Sequence, residues 1–469
     1  MDLQKTSLKL FGAKLGIAAI QFLGIAIFAN ILNATNLGIF FLFQALLGML
    51  AIFADFGLRG AVEKRISEGG SEGAYLSSAI LLKLFPITLI SIILLFSRQW
   101  INEYIGAEVT ILLILAIIIY ELAYLAIFVL KGELRVGEIA SLQLGQQITW
   151  VTISGLLLFI GWGAVGLIYG LISGLAFVAL WGWWKKSISF TKPTRTHARS
   201  LFNYGKFNLV SSLGGYFYSW MDIVIIGLLL SQAEVGVYEV AWRVSAIALL
   251  FSTAIGTTIF PQISNLGAND QLTEIESIIE KAITPSLMFV IPAFFGTLVI
   301  SEEILSIVFG SEFGVASVVL IILSGEKIIQ AVHIILGRVL KALDKPDLAA
   351  RATIVSLFVN LILNVLLIQM YGIVGAAIAT GLSFAINTAL HAKYVAQFVE
   401  IRVPVREVGW CTFAALLMSG LVFAIKNVIV VNSIPELLLL VGTGGACYGL
   451  LVIGYSPIRH RIITIVQQL

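Results

Sequence analysis

Apolar runs of close to twenty residues recur from one end of this chain to the other, at 10–32, 37–57, 74–96, 109–130, 139–160 and 163–184, then at 206–230, 236–260, 283–300, 315–340, 348–370, 372–393, 408–425 and 434–455. A helix of about 20 residues rises about 30 Å, the thickness of a bilayer's hydrocarbon. Inside that hydrocarbon every backbone polar group needs a partner within the segment, which a helix supplies. The pattern therefore predicts an all-α polytopic membrane protein with about 14 transmembrane helices. A soluble globular chain is excluded, because 59% of the residues are hydrophobic and only 12% charged. The two cysteines, Cys411 and Cys447, lie within apolar runs, so neither a disulfide framework nor a thiolate metal site is expected. Lys5, Lys9 and Lys14 come before the end of the first run without a small-residue cleavage site, which reads as a retained helix rather than a signal peptide.

The runs repeat in order. Val129-Leu130-Lys131-Gly132-Glu133-Leu134-Arg135 is echoed by Val339-Leu340-Lys341-Ala342-Leu343-Asp344-Lys345, a charged elbow closing a long apolar helix. The helix after each elbow ends at a small-residue turn, Gly163-Ala164-Val165-Gly166 in one and Gly372-Ile373-Val374-Gly375 in the other. Upstream, Asn36-Leu37-Gly38-Ile39-Phe40 matches Glu234-Val235-Gly236-Val237-Tyr238. Three matches in one order predict two pseudo-symmetric six-helix lobes plus two C-terminal helices. The expected divisions are 1–198 for the first lobe and its linker, 199–399 for the second lobe, and 400–469 for the added pair.

Basic residues set the orientation. With alternating crossings, all but six of the 29 Lys and Arg fall on one side, among them Arg59, Lys64, Arg65, Lys185, Lys186, Arg402, Arg459 and Arg461. Arg98 and Lys426 fall on the other side, and Lys83, Arg243, Lys327 and Arg338 lie within runs. The positive-inside rule makes the crowded side cytoplasmic and puts both termini there, in a multi-pass protein of the cell membrane.

Ionisable groups at mid-bilayer cost about 2.5–3.5 kcal/mol each on insertion scales, so they face a wet cavity or a partner. Most lie in the second half: Asp222, then Glu239 and Arg243 four apart on one helical face, then Glu326, Lys327, Gln330, His333 and Arg338 on the tenth run. One reading is a cationic, water-filled lumen that receives an anionic headgroup, with Arg243, Lys327, Arg338, Gln330 and His333 as substrate contacts and Asp222, Glu239 and Glu326 coupled to an ion. The plainer reading has Arg243 neutralise Glu239 while Lys83 and Lys14 snorkel to the interface. In the first half Asp55, Lys83 and Glu121 are sparser. Tyr216, Tyr218 and Trp220 could stack on sugar faces or anchor at the interface.

No Gly-x-x-x-x-Gly-Lys-Ser/Thr loop, His-Glu-x-x-His pair or Asp-x-Asp pair is present, and the connections on the outer side are short. This argues for no ATPase, no metal, no cofactor and no enzyme, and against a membrane glycosyltransferase or polymerase.

The motifs resemble the polysaccharide (O-antigen type) flippases of the multidrug/oligosaccharidyl-lipid/polysaccharide exporter superfamily. The resemblance rests on Leu37-Gly38-Ile39-Phe40, Asp55-Phe56-Gly57-Leu58, Asp222, Val235-Gly236-Val237-Tyr238, Phe260-Pro261-Gln262-Ile263-Ser264, Phe309-Gly310-Ser311-Glu312-Phe313 and Gly372-Ile373-Val374-Gly375-Ala376-Ala377. It implies two lobes in a V, alternating access, and a flippase moving polyprenyl-linked oligosaccharide from the cytoplasmic to the outer leaflet for surface glycan assembly. The implied partners are that lipid-linked substrate, membrane lipids and glycan-assembly enzymes, with no nucleic acid. The alternative within the superfamily is an ion-coupled antiporter of cationic drugs, and a flippase of peptidoglycan precursor is a related possibility.

Overall fold

The structure, a computed structural model, describes residues 3–459, with side chains described outside 3–11, 13–14, 207 and 210–219. It is all-α among the described residues. By contact the chain divides into two compact units, Met1–Gly236 and Val237–Leu469.

The first unit holds α1 (Leu3–Ile31), α2 (Ala34–Asp55), the short α3 (Leu58–Glu68), α4 (Glu72–Phe96), α5 (Arg98–Ile105), α6 (Thr110–Gly132), α7 (Val136–Phe159), α8 (Gly163–Lys185) and α9 (Arg195–Leu229). After α10 (Gln232–Ala246), which starts in the first unit, the second holds α11 (Leu250–Ala268), α12 (Leu272–Leu287), α13 (Val290–Phe309), α14 (Ser317–Ala342), α15 (Pro346–Val395), α16 (Val405–Val428) and α17 (Ile434–Gly454). Ten stretches among the described residues are helical, long and apolar enough to cross a membrane, and α1 and α9 add shorter apolar segments at Leu15–Ile31 and Trp220–Leu229.

The helix ends follow local chemistry. Asn33 caps α2 by accepting from the Asn36 amide, and Ser433 and Glu436 form a reciprocal capping box at the start of α17. α15 runs for 50 residues, far more than one crossing needs, and is broken at Gly372, whose φ is 57°. The break is a reversal. A Cβ placed on Gly375 would sit 2.0 Å from the Leu367 carbonyl oxygen. In a straight helix residues eight apart are separated by about 12 Å.

The sequence repeat is a backbone repeat. In the first elbow Glu133, Leu134 and Arg135 donate to the carbonyls of Val129, Lys131 and Leu130, at 2.9 Å each. In the second, Leu343, Asp344 and Lys345 donate to Val339, Lys341 and Leu340, at 2.9, 3.3 and 2.9 Å. Leu134 and Asp344 occupy the same left-handed position, with φ of 60° and 57°. The small-residue turns match as well, with φ of 53° at Gly163 and 57° at Gly372. Beyond each turn, small residues let two helices close up. Gly166, Gly170 and Gly174 of α8 lie against α7, and Ser383 of α15 accepts from Asn360 at 3.1 Å.

The two C-terminal helices are fastened by polar side chains. Lys426 of α16 donates to the Val299 carbonyl at 2.8 Å and pairs with Glu303 at 2.6 Å, where α13 kinks at Ile300. At the other end of α16 the Thr284 hydroxyl donates to Glu407 at 2.8 Å, and Tyr448 of α17 donates to the Met288 carbonyl at 2.7 Å. A kink frees a carbonyl from the helix ladder, and Lys426 satisfies it.

Candidate functional site: a buried charge quartet beside a cavity

A connected set of buried charges lies in the first unit. α2 ends at Asp55, and Phe56 and Gly57 follow in left-handed conformations, with φ of 52° and 72°. This corner turns the chain into α3 and brings Arg59 back beside Asp55. The Arg59 amide donates to Asp55 Oδ1 at 3.1 Å, and its Nε lies 3.3 Å from the same oxygen. α4 supplies Lys83, whose Nζ lies 2.5 Å from Asp55 Oδ1 and 2.6 Å from Glu121 Oε2 on α6. Arg59 closes the ring by donating to the other oxygen of Glu121. Glu121, Lys83, Arg59 and Asp55 are 1%, 4%, 6% and 9% exposed.

Two cations thus face two carboxylates, and the quartet carries no net charge. Removing one member would leave a charge uncompensated at membrane depth, which costs several kcal/mol. The Arg59 guanidinium also lies over the rings of Tyr120 and Tyr124, 4.9 and 5.0 Å from their centroids. A planar guanidinium gains from such stacking, whereas an ammonium does not use it in the same way.

Two members of the quartet, Asp55 and Arg59, reach a cavity of about 550 Å³, which Glu63, Lys64, Tyr204 and Asn208 also help to line. The Asn208 amide donates to the Gly57 carbonyl at 3.0 Å, tying α9 to the corner. Lys64 stands over the Tyr204 ring at 4.8 Å. The arrangement can present a guanidinium and an ammonium to an anion that enters the cavity, with Lys83 behind to hold both carboxylates.

In the second unit the polar residues expected from sequence form pairs. Arg243 Nε lies 2.7 Å from Glu239 Oε1, and Lys327 Nζ lies 2.6 Å from Glu326 Oε2. The ring of Trp242, next to Arg243 on α10, lies 5.4 Å from the Lys327 ammonium. His333 packs edge-on against His391, with centroids 4.4 Å apart, and Gln330 lies one turn earlier on α14. Arg338 runs along Gly256 of α11. Asp222, 9% exposed on α9, belongs to the first unit.

Two readings change. Lys83 does not snorkel, since it is buried and held by two carboxylates. Arg59, placed by sequence among the basic residues beyond the second run, folds back inside. The signal for it was present: Asp55 and Arg59 are four apart, with one unmatched cation on the third run and one unmatched anion on the fourth. Trp220 packs its indole on Gly48 of α2. The Lys14, Tyr216 and Tyr218 side chains, and residue Arg461, lie outside the described residues.

Comparison with known proteins gives a consistent result. A family model described as polysaccharide biosynthesis protein matches residues 27–318. The chain is 55% identical over 460 residues, 98% of each chain, to the probable low-salt glycan biosynthesis flippase Agl15 of Haloferax volcanii. It is 32% identical over 454 residues, 94% of each chain, to the probable flippase AglR of the same organism. Among solved structures it is similar to the lipid II flippase MurJ in an inward closed conformation, with a TM-score of 0.81 at 16% identity, covering 95% of this chain and 98% of that one. An inward-facing multidrug resistance MATE family transporter is similar at a TM-score of 0.62 and 16% identity, over 81% and 94% of the two chains. At such identities the structural likenesses establish the fold, and the sequence matches establish the kinship: this chain belongs to the polysaccharide biosynthesis protein family.

Proposed function

We propose that this protein is a flippase that carries polyprenyl-linked oligosaccharide from the inner to the outer leaflet of the cell membrane, with both termini on the cytoplasmic side. The observation that carries the reading is 55% identity along 98% of the chain to a protein named as a probable glycan biosynthesis flippase. The MATE likeness speaks for the fold alone, and the drug-antiporter alternative has no comparable support.

In this reading the phosphate or diphosphate that joins lipid to sugar docks in the first-unit cavity. Phosphate oxygens accept charge-assisted hydrogen bonds, and a guanidinium supplies them in pairs. Arg59 keeps its place beside Asp55 and turns the part of its guanidinium that meets Glu121 toward the phosphate, while Lys83 retains both carboxylates. Lys64 adds a second positive group at the cavity wall, and the lipid tail stays in the bilayer. In the second unit Arg243, Lys327 and Arg338, with Gln330 and His333, serve as further substrate contacts. Asp222, Glu239 and Glu326 are the groups to which an ion would couple. The reading requires no bond-making chemistry, metal or cofactor of the chain, and the glycan-assembly enzymes that build and consume the substrate are its functional partners.

The test is deletion and complementation in the source cell. Deletion should remove surface glycan and leave lipid-linked precursor on the inner face. The wild-type gene should restore export, and Arg59→Gln should fail to do so at equal protein level. Normal surface glycan in the deletion strain would overturn the proposal.

A further inference from the structure

A seam of polar side chains runs inside the second unit between α14 and the last stretch of α15. On α14 Glu326, Gln330, His333 and Gly337 follow one another at helical spacing. α15 meets them in register: Gly381 lies by Glu326, Phe384 by His333, and His391 by both His333 and Gly337. Gln330 Oε1, His333 Nδ1 and Asn387 Oδ1 are buried along this seam and have no hydrogen-bond partner among the described residues. His391 and Asn387 are each 2% exposed.

Unpartnered polar atoms at this depth cost about 1–3 kcal/mol each, and apolar side chains would pack there without that cost. The tautomer of His391 is fixed by its neighbour. Its Nδ1 lies 2.9 Å from the Asn387 carbonyl oxygen, which can only accept, so Nδ1 donates and Nε2 is left to accept a proton. Lys341 of α14 acts on both rings, and His391 acts on His333. Among the described residues α11, α12 and α13, which also pack on α14, add no charged group to these rings. At the far end of the seam Glu326 faces Lys327, and α10 brings Trp242 against that lysine with the Glu239–Arg243 pair beside it.

We propose that this seam is a hydrated proton path that starts at the Lys341 end of α14 and terminates on Glu326. A hydronium ion at the Lys341 end gives its proton to Nε2 of His391 and is left as water, and the proton passes by a bridging water to His333. It continues by water held at Gln330 to the Glu326 carboxylate. An O–H bond forms on Glu326 and an N–H bond breaks on the imidazole, so both histidines return to neutral. Neutral Glu326 no longer holds Lys327 by charge. The ammonium at 2.6 Å is released toward an anionic partner, so protonation of one residue arms the next. Chains of carboxylate and histidine mark proton relays in membrane proteins, and here the end point controls a cation.

The experiment uses the full-length protein in liposomes, stepped from about pH 8 to about pH 5, with infrared detection of a protonated carboxyl group. The parent should gain a carboxylic C=O band that Glu326→Gln lacks. His333→Phe with His391→Phe, which keeps the aromatic packing, should delay that band by about tenfold or more without removing its final amplitude. His391→Gln keeps a polar group at the site and should give an intermediate delay, which separates the path from a folding defect. Equal rates in the parent and all histidine variants, or a band that persists in Glu326→Gln, would overturn the proposal. No lipid-linked glycan is needed, so the path and the flippase reading fail independently. The release of Lys327 toward substrate phosphate rests on that reading, and the proton path does not.

Discussion

Gly38 and Gly236 occupy each other's helix starts. A Cβ on Gly38 would lie 1.7 Å from the Gln232 carbonyl oxygen, and one on Gly236 would lie 2.1 Å from that of Ala34. Each glycine thus rests on the backbone four residues ahead of the other, and these two positions are matched in the internal repeat. The crossing lies within the first unit and leaves no room for even a methyl group.

Alanine at either glycine should therefore force the backbones apart. Gly38→Ala and Gly236→Ala should each destabilise the protein by about 1–3 kcal/mol, and the double variant should cost less than their sum because one separation accommodates both. Thermal unfolding of the four proteins in detergent gives the cycle. Strict additivity would show that the two positions do not share a contact.

The charge quartet predicts a different asymmetry. Glu121→Gln leaves Arg59 and Lys83 with Asp55 alone and should cost about 3–5 kcal/mol, the penalty for breaking a buried pair. Lys83→Met combined with Glu121→Gln removes one charge of each sign and should be less damaging than Glu121→Gln alone. Chemical denaturation separates these outcomes. Arg59→Lys keeps the charge but gives up the stacking on Tyr120 and Tyr124, so it should impair transport more than stability.

At the reversal of α15, two nearby glycines should behave differently. A Cβ on Gly372 meets nothing within 4 Å, so Gly372→Ala carries only the strain of its positive φ, about 1–2 kcal/mol. Gly375→Ala drives a methyl group into the Leu367 carbonyl and should be worse. The order of the two melting temperatures checks this, and a reversed order would contradict the hairpin geometry.

The first elbow makes a pH prediction. Arg135 beside Glu138 holds that carboxyl below the usual carboxylate range, and Lys185 adds to the effect. A carboxylate whose folded value is depressed contributes stability above its unfolded value of about 4.3 and loses it as pH falls through the folded one. Protection from hydrogen exchange across 131–138, taken relative to the intrinsic rate at each pH, should hold from neutrality to about pH 5 and fall only in stronger acid. Glu138→Gln should lower that protection at neutral pH and abolish its acid dependence.

Much of the fold could be read from residues that repeat. The elbows were visible because the same apolar and charged letters recur, and their backbones then matched bond for bond. The Glu239–Arg243 pair followed from four-residue spacing. Other features depended on direction, which spacing does not encode. Sequence gives the depth of Lys83 along its helix but not the face it presents. It places Arg59 just past the end of a run, while the Phe56-Gly57 corner folds it back inside. Glu326 and Lys327 are adjacent, so they point about 100° apart on an ideal helix, and only flexible side chains bring their ends together.

The most direct test of the account uses purified protein in liposomes loaded with a fluorescent polyprenyl-linked oligosaccharide, with dithionite or lectin access reporting movement between leaflets. The account predicts transbilayer movement that depends on the protein, falls about tenfold or more in Arg59→Gln and is retained at an intermediate level in Arg59→Lys. Movement at the protein-free rate, or movement unchanged in Arg59→Gln with the protein folded, would contradict it.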